Sequence, residues 1–106
     1  MDCLFCKIIA KEISANIAYE NDAVLAFHDI SPKAPTHLLF IPKKHIARLD
    51  DIEEVSVMSE LYAAIIDFAN QNEYRKAGFQ TKIHVGEGGG QEVFHLHIHF
   101  LSQKKL

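Results

Sequence analysis

The sequence predicts an α+β domain built on an antiparallel sheet. Two segments with a two-residue alternation, one segment with apolar residues every third or fourth position, and an ordinary globular composition carry that prediction. The chain has 106 residues, 48% hydrophobic and 24% charged. That length fits one domain, residues 1–106, with a real core but no room for a second one. Disorder and collagen-like order are excluded by the composition.

The elements follow in order. Residues 4–9 space their apolar positions by three and four, which predicts a short amphipathic helix. Ile17–Glu20 and Ala23–His28 read as two strands joined by a tight turn at Asn21-Asp22. Ser31-Pro32 and Ala34-Pro35 mark a loop, because a residue before proline is pushed out of the helical region. His37–Ile41 is an apolar run closed by Pro42 and predicts a buried strand. Residues 53–72 carry the strongest helical signal. Val57, Met58, Leu61, Ile65, Phe68 and Ala69 recur at helical spacing, with Glu53, Glu54 and Glu60 toward the end where the dipole favours acids. Phe79–Val85 and Phe94–Leu101 read as strands. The resulting order, α-β-β-β-α-β-β, predicts a meandering antiparallel sheet.

Charge and hydropathy bound the function. Eleven Lys and Arg against 14 Asp and Glu give a net charge of −3. A general nucleic-acid binder would show a basic excess, although a single nucleotide remains open as a ligand. No apolar run reaches the ~18–20 residues of a membrane span. The first residues, Met1 to Lys7, show no basic segment followed by an apolar one, so no secretory signal is expected and the cytoplasm is the default location.

Seven histidines and two cysteines hold the chemistry. His95, His97 and His99 alternate with Leu96, Ile98 and Phe100. On a strand, residues two apart share a face at a spacing of ~6.6 Å, so the imidazoles are expected on one face and the apolar partners in the core. A solvent-facing strand would not need imidazole, which titrates near neutrality. Two chemistries are open: a metal site, or one imidazole as a nucleophile positioned by its neighbours. Gly86-Glu87-Gly88-Gly89-Gly90 precedes this strand and holds four of the five glycines. Glycine lets backbone amides form an anion-binding concavity, which favours phosphoryl chemistry over a plain hairpin. Cys3-x-x-Cys6 could be a redox pair, half of a zinc site, or two unrelated thiols. No strand precedes it, as a thioredoxin-like pair would require.

Gly89-Gly90-Gln91-Glu92-Val93-Phe94-His95-Leu96-His97-Ile98-His99-Phe100 resembles the active-site motif of the histidine triad family. Phe27 to His37, with its Asp29-Ile30-Ser31-Pro32 core, and Ile41-Pro42-Lys43-Lys44-His45-Ile46 resemble further segments of its Hint branch. The likeness runs from about Cys3 to Leu101. It implies a five-stranded antiparallel sheet per subunit with a short N-terminal helix and one long helix, joined into ten strands in a homodimer. It implies hydrolysis of purine nucleoside phosphoramidates, with AMP or GMP as the nucleotide. In that scheme His97 attacks the α-phosphorus, His99 protonates the leaving group and His37 supports the cluster. Asp29 holds the ribose, and Phe5, Ile8, Ile13, Phe27 and Ile30 line the base pocket. Backbone amides around Gly90, Gln91, Glu92 and Val93 bind phosphate.

A branch of the same family carries Cys-x-x-Cys. There, and in related galactose-1-phosphate uridylyltransferases, zinc is held by residues matching Cys3, Cys6, His45 and His95. Two cysteines and two histidines make a closed, structural site. The alternatives to an enzyme of this kind are a nucleotide-binding regulatory module with little turnover and a metal-dependent hydrolase. The chain departs from the family pattern at several positions. His84 stands where asparagine is usual near the phosphate, Glu92 replaces a serine, and Ser14 takes a position where proline is common. His28 matches the motif but is expected only to pack or meet solvent. Longer members extend a tail beyond the position of Leu106 toward the leaving group.

Overall fold

The computed structural model describes residues 3–106. Helix α1 spans Leu4–Ile9, at the bounds its spacing predicts; the Cys6 amide donates to the Cys3 sulfur at its start, and Phe5 and Ile8 are buried. Strands β1 (Ile17–Glu20), β2 (Val24–His28) and β3 (Thr36–Pro42) follow. Helix α2 (Ser56–Gln71) leads to β4 (Gln80–Lys82) and β5 (Ile98–Ser102).

All neighbouring strands are antiparallel, in the order β1-β2-β3-β5-β4. The sheet is therefore not the simple meander the element order predicts. Strands β1 to β3 meander, but α2 carries the chain across the sheet. Strand β4 lands on the outer edge, and β5 returns to fill the place between β3 and β4.

The strand period of two sorts each strand's side chains onto two buried faces. Val24, Ala26, Leu38, Phe40, Ile98 and Phe100 meet Leu61, Ala64, Ile65, Phe68 and Ala69 of α2. Leu25, Phe27, Leu39 and Ile41 turn the other way and pack with Phe5 and Ile8 of α1. Every residue of β3 is buried because both faces are covered.

Strand β2 starts one residue later than expected and β3 is one residue longer at each end, while three elements shift further. Helix α2 begins at Ser56 rather than at residue 53, with no acid in its first turn. Glu54 instead lends its carbonyl to the Val57 amide. Strand β4 holds three residues of the predicted 79–85. Strand β5 begins at Ile98, four residues later than expected, because the chain at 94–97 leaves the ladder to follow other partners. The alternation of faces survives that departure: Leu96, Ile98 and Phe100 enter the α2 core.

Candidate active site and metal centre

Two polar clusters lie on the α1 side of the sheet. The first joins Cys3, Cys6, His45 and His95, whose ligand atoms all lie within 4.8 Å of one another. Cys3 Sγ is 3.3 Å from His95 Nδ1, Cys6 Sγ 3.3 Å from His45 Nδ1 and 3.6 Å from His95 Nδ1, and the two Nδ1 atoms are 3.2 Å apart. His95 Nε2 lies 2.8 Å from the Pro42 carbonyl. A carbonyl only accepts, so Nε2 carries the hydrogen and Nδ1 is bare. Three neighbours thus converge on one lone pair, which as hydrogen bonding is oversubscribed. Ligand bonds of about 2.0 to 2.3 Å in a tetrahedron would space the four atoms by about 3.3 to 3.8 Å. The separations fit a metal ion. The Pro42 carbonyl supplies the outer hydrogen bond that ligating imidazoles commonly make.

The second cluster is a chain of imidazoles. His97 Nδ1 lies 2.7 Å from the His95 carbonyl, so Nδ1 holds the hydrogen and Nε2 keeps its lone pair. The Lys33 amide donates to His37 Nδ1 at 3.0 Å, and His37 Nε2 meets His99 Nδ1 at 2.9 Å. An amide only donates, so His37 bears its hydrogen on Nε2 and gives it to His99 Nδ1. His99 is left with its hydrogen on Nε2. Neighbouring imidazoles thus present opposite faces, His97 an acceptor and His99 a donor, with ring centroids 5.0 Å apart.

The β3–β5 register explains this meeting. His37 pairs with Leu101 and Leu39 with His99, so His37 and His99 are diagonal neighbours on one face. Asp29 follows β2 with a carboxylate oxygen 3.6 Å from His37 Nε2. Burial drives the pKa of His99 down to about 4, helped by the charges of His97, His37 and His84 and opposed by Asp29. Burial also lowers His37, opposed by Asp29 and reinforced by Lys33 and Lys82. Both rings are neutral near pH 7, as the chain of donors requires.

A cavity of about 790 Å³ opens beside these rings. Phe5, Ile8, Ile13 and Phe27 line one end, while Asp29, His37, His84, Gly90, Glu92, Val93, His97 and His99 line the rest. Phe5 meets Phe27 and His97 edge-on, with centroids at 5.2 and 5.3 Å. Ile30 is 97% exposed and forms a lip rather than a wall. His84 is half-buried and its ring centroid lies 4.9 Å from that of His99, which puts it beside the triad. His28 also lines the cavity, beyond the packing role expected of it.

Gln91 does not line the cavity. Its side chain is buried, accepting from the Gly86 amide and donating to the Ala47 and Val93 carbonyls. The amides of Gly90 and Gln91 already donate to the Glu87 and Gly86 carbonyls. Two of the four expected phosphate-binding amides are therefore engaged in shaping the loop. Gly86 and Gly90 adopt positive φ, and a Cβ on Gly86 would fall 2.8 Å from the Arg48 guanidinium.

A model of the HIT domain matches residues 10–106. The chain belongs to the histidine triad (HIT) family. It is 44% identical to Protein HitA of Neisseria gonorrhoeae over 102 residues, 94% of each chain. A histidine triad protein from Clostridium difficile superposes with a TM-score of 0.94 at 45% identity, over 100% of this chain and 94% of the other. The HIT family hydrolase of Legionella pneumophila gives a TM-score of 0.91 at 40% identity, over 98% and 95%. The expected fold of this family, a five-stranded antiparallel sheet with one short and one long helix, is the fold described above. The relatives include hydrolases, and His97 and His99 of the triad line one cavity with His37, while His95 lies in the cluster with Cys3, Cys6 and His45.

The sequence holds no sign of the backbone groups that set the ring tautomers: the carbonyls of Pro42 and His95 and the amide of Lys33. Nor does the family motif point to Lys82, which enters the cavity wall from β4.

Proposed function

We propose that this chain is a nucleoside phosphoramidase that hydrolyses a purine nucleotide joined through phosphorus to an amine. The opposed tautomers of His97 and His99 carry this reading. His97 Nε2 has a free lone pair and attacks the α-phosphorus. The phosphorus–nitrogen bond breaks, and the departing amine takes its proton from His99 Nε2. A water then attacks the phosphorus of the nucleotidyl-His97 intermediate, gives a proton back to His99, and releases the nucleotide and free His97. Splitting one displacement into two is the logic of covalent catalysis.

The cavity supports the rest of the assignment. Phe5, Ile8, Ile13 and Phe27 offer apolar and aromatic surface for the base, with Ile30 at its lip. Asp29 offers a carboxylate to the ribose hydroxyls, since Oδ2 makes no bond to a backbone amide while Oδ1 holds that of Ser31. The amides of Glu92 and Val93 make no backbone hydrogen bond among the described residues and are the donors for a phosphoryl oxygen. His84 adds a hydrogen bond from the β4 side, while Gly90 and Gln91 hold the loop in shape.

Cys3, Cys6, His45 and His95 would hold one structural zinc ion. Bound there, zinc ties α1 to the segments after β3 and before β5, and so fixes the Phe5 and Ile8 wall. It takes no part in the displacement. The working form is a homodimer that joins two sheets into ten strands.

The test is to mix the protein with an adenosine 5′-phosphoramidate, quench with denaturant at alkaline pH, where phosphorus–nitrogen bonds survive, and map the adduct by mass spectrometry. A nucleotidyl group on His97 and release of AMP and amine are expected. Tight AMP binding with no adduct and no turnover would replace the reading with a nucleotide-binding module. Turnover abolished by a chelator in the presence of intact fold would replace it with a metal-dependent hydrolase.

A further inference from the structure

The main cavity does not end at the histidines. Lys33, Lys82 and Leu101 line it and also line a second cavity of about 420 Å³, with Phe79, Gln80 and Gln103 among its walls. These three residues belong to the walls of both spaces. The first has apolar walls, imidazole walls and two lysines, and the lysines are the charged residues it shares with the second.

The register puts Lys82 next to the proton donor. Lys82 of β4 pairs directly with His99 of β5, so the two side chains rise from the same face of the sheet. Lys33 is fixed by its own amide, which holds His37 Nδ1. Both lysine side chains are exposed, and neither forms an ion pair among the described residues, whereas Lys11, Lys43 and Arg48 each find a carboxylate. No Asp or Glu lines the second cavity. Both lysines act by charge on His37, the partner of His99. Asp29 and Glu92 also line the main cavity, so the field for negative charge lies on the side of the lysines shared with the second cavity.

We infer that Lys33 and Lys82 form an anion subsite for the leaving group, so that preferred substrates release an amine bearing a carboxylate or a phosphate. This rests on the nucleotidyl-transfer reading above. In-line displacement at phosphorus puts the leaving amine on the side away from His97 Nε2. From there its tail runs past His99 to Leu101 and the two lysines. The anion is held by charge rather than by a closed pocket, because both lysines are solvent-facing.

Three adenosine phosphoramidates test this: AMP joined to β-alanine, to aminoethyl phosphate and to propylamine. Their tails are a carboxylate, a phosphate and a neutral chain of similar length. With each exposed contact contributing as an exposed ion pair, kcat/KM for the anionic tails should exceed that for propylamine by about five- to tenfold. The excess should shrink as salt rises. In the Lys33→Gln/Lys82→Gln double variant the ratio should fall to near one. A ratio taken within one preparation does not depend on how much of it is folded. Which anionic tail gains more separates carboxylate from phosphate as the natural chemistry. Equal turnover of all three by the wild type, or a preference that survives the double substitution, would overturn the proposal. So would an equal loss on all three substrates, because the lysines would then act on the common phosphate. If none is hydrolysed, nucleotidyl transfer itself fails. The Kd values of the same three compounds then decide the subsite, equal values overturning it.

Discussion

The two faces of the sheet are both buried, yet they are built on different rules. Against α2, Val24, Ala26, Leu38, Phe40, Ile98 and Phe100 meet Leu61, Ile65 and Phe68 in an apolar core. Stability there depends on filled volume. Against α1, the same strands and the segments between them deliver His37, His95, His97 and His99, three of them buried. Each of these rings has one nitrogen fixed by a backbone group or by another imidazole. Among the described residues no buried side-chain nitrogen or oxygen lacks a partner. A small domain can thus place its chemistry inside its fold, provided every buried polar atom is satisfied and every ring is held in one tautomer.

The sharpest contrast comes from one substitution on each face. His97→Ala should lower kcat/KM on an adenosine phosphoramidate by about a thousandfold or more, as expected when a nucleophile is removed. Its thermal midpoint should stay within a few degrees of wild type. Turnover retained by this variant would reassign the nucleophile. Phe68→Ala should do the opposite. It should cost about 3–5 kcal/mol in urea unfolding, through the cavity left among Phe40, Tyr74 and Phe100. Turnover per folded molecule should stay within about twofold.

The polar face can then be divided. Cys6→Ser should cut zinc affinity by more than about a hundredfold, since removing even an outer partner costs 10–100-fold. Competition with a chromophoric chelator reads it directly, and the wild type should hold one zinc per chain. An unchanged affinity would remove Cys6 from the ligand set. His37→Ala should lower kcat by about 10–100-fold with little change in KM, because His99 loses the hydrogen bond that fixes its tautomer. A change confined to KM would make His37 a binding group instead.

The smallest effect is in the pH dependence of stability. His99 titrates at about 4 in the folded chain, against 6.5 for the unperturbed ring. Between those values the unfolded chain binds a proton that the folded chain refuses. Stability should therefore be full above pH 6.5 and fall as pH drops toward 4. His37, His84, His97 and Asp29 surround the ring and set the depth of the fall. Allowing for solvent screening, His99 should account for about 1–2 kcal/mol. The difference between wild type and His99→Gln, followed by urea unfolding from pH 7 to pH 4, isolates it. A difference that stays constant across that range would remove His99 as the source.

Local patterns were legible where neighbours in sequence are neighbours in space. Helix α1 and strand β1 match their predicted bounds because spacing alone sets them. The start of α2 shifted because Glu53 and Glu54 carry helical propensity without an apolar face to bury. Residues 94–97 alternate like a strand but lie off the ladder, since His95 bonds the Pro42 carbonyl and the Leu96 amide bonds the Ile46 carbonyl. Gln91 reads as part of a phosphate loop, yet its amide and side chain both serve the loop's own shape.

The sequence by itself determined which residues face together. The two-residue period of a strand fixes His97 and His99 on one side and Ile98 and Phe100 on the other, whatever the neighbours. The glycine-rich run and the early cysteines are likewise plain in the order of residues. Only the tertiary structure decided what each imidazole can do. A ring's free nitrogen is chosen by the partner of its other nitrogen, and the partner of His95, the Pro42 carbonyl, lies 53 positions away in the chain. The place of Lys82 was decided the same way, because it meets His99 only once β5 has inserted beside β4. Faces follow from local backbone geometry, whereas proton positions and cavity walls follow from contacts that exist only after the chain has closed on itself.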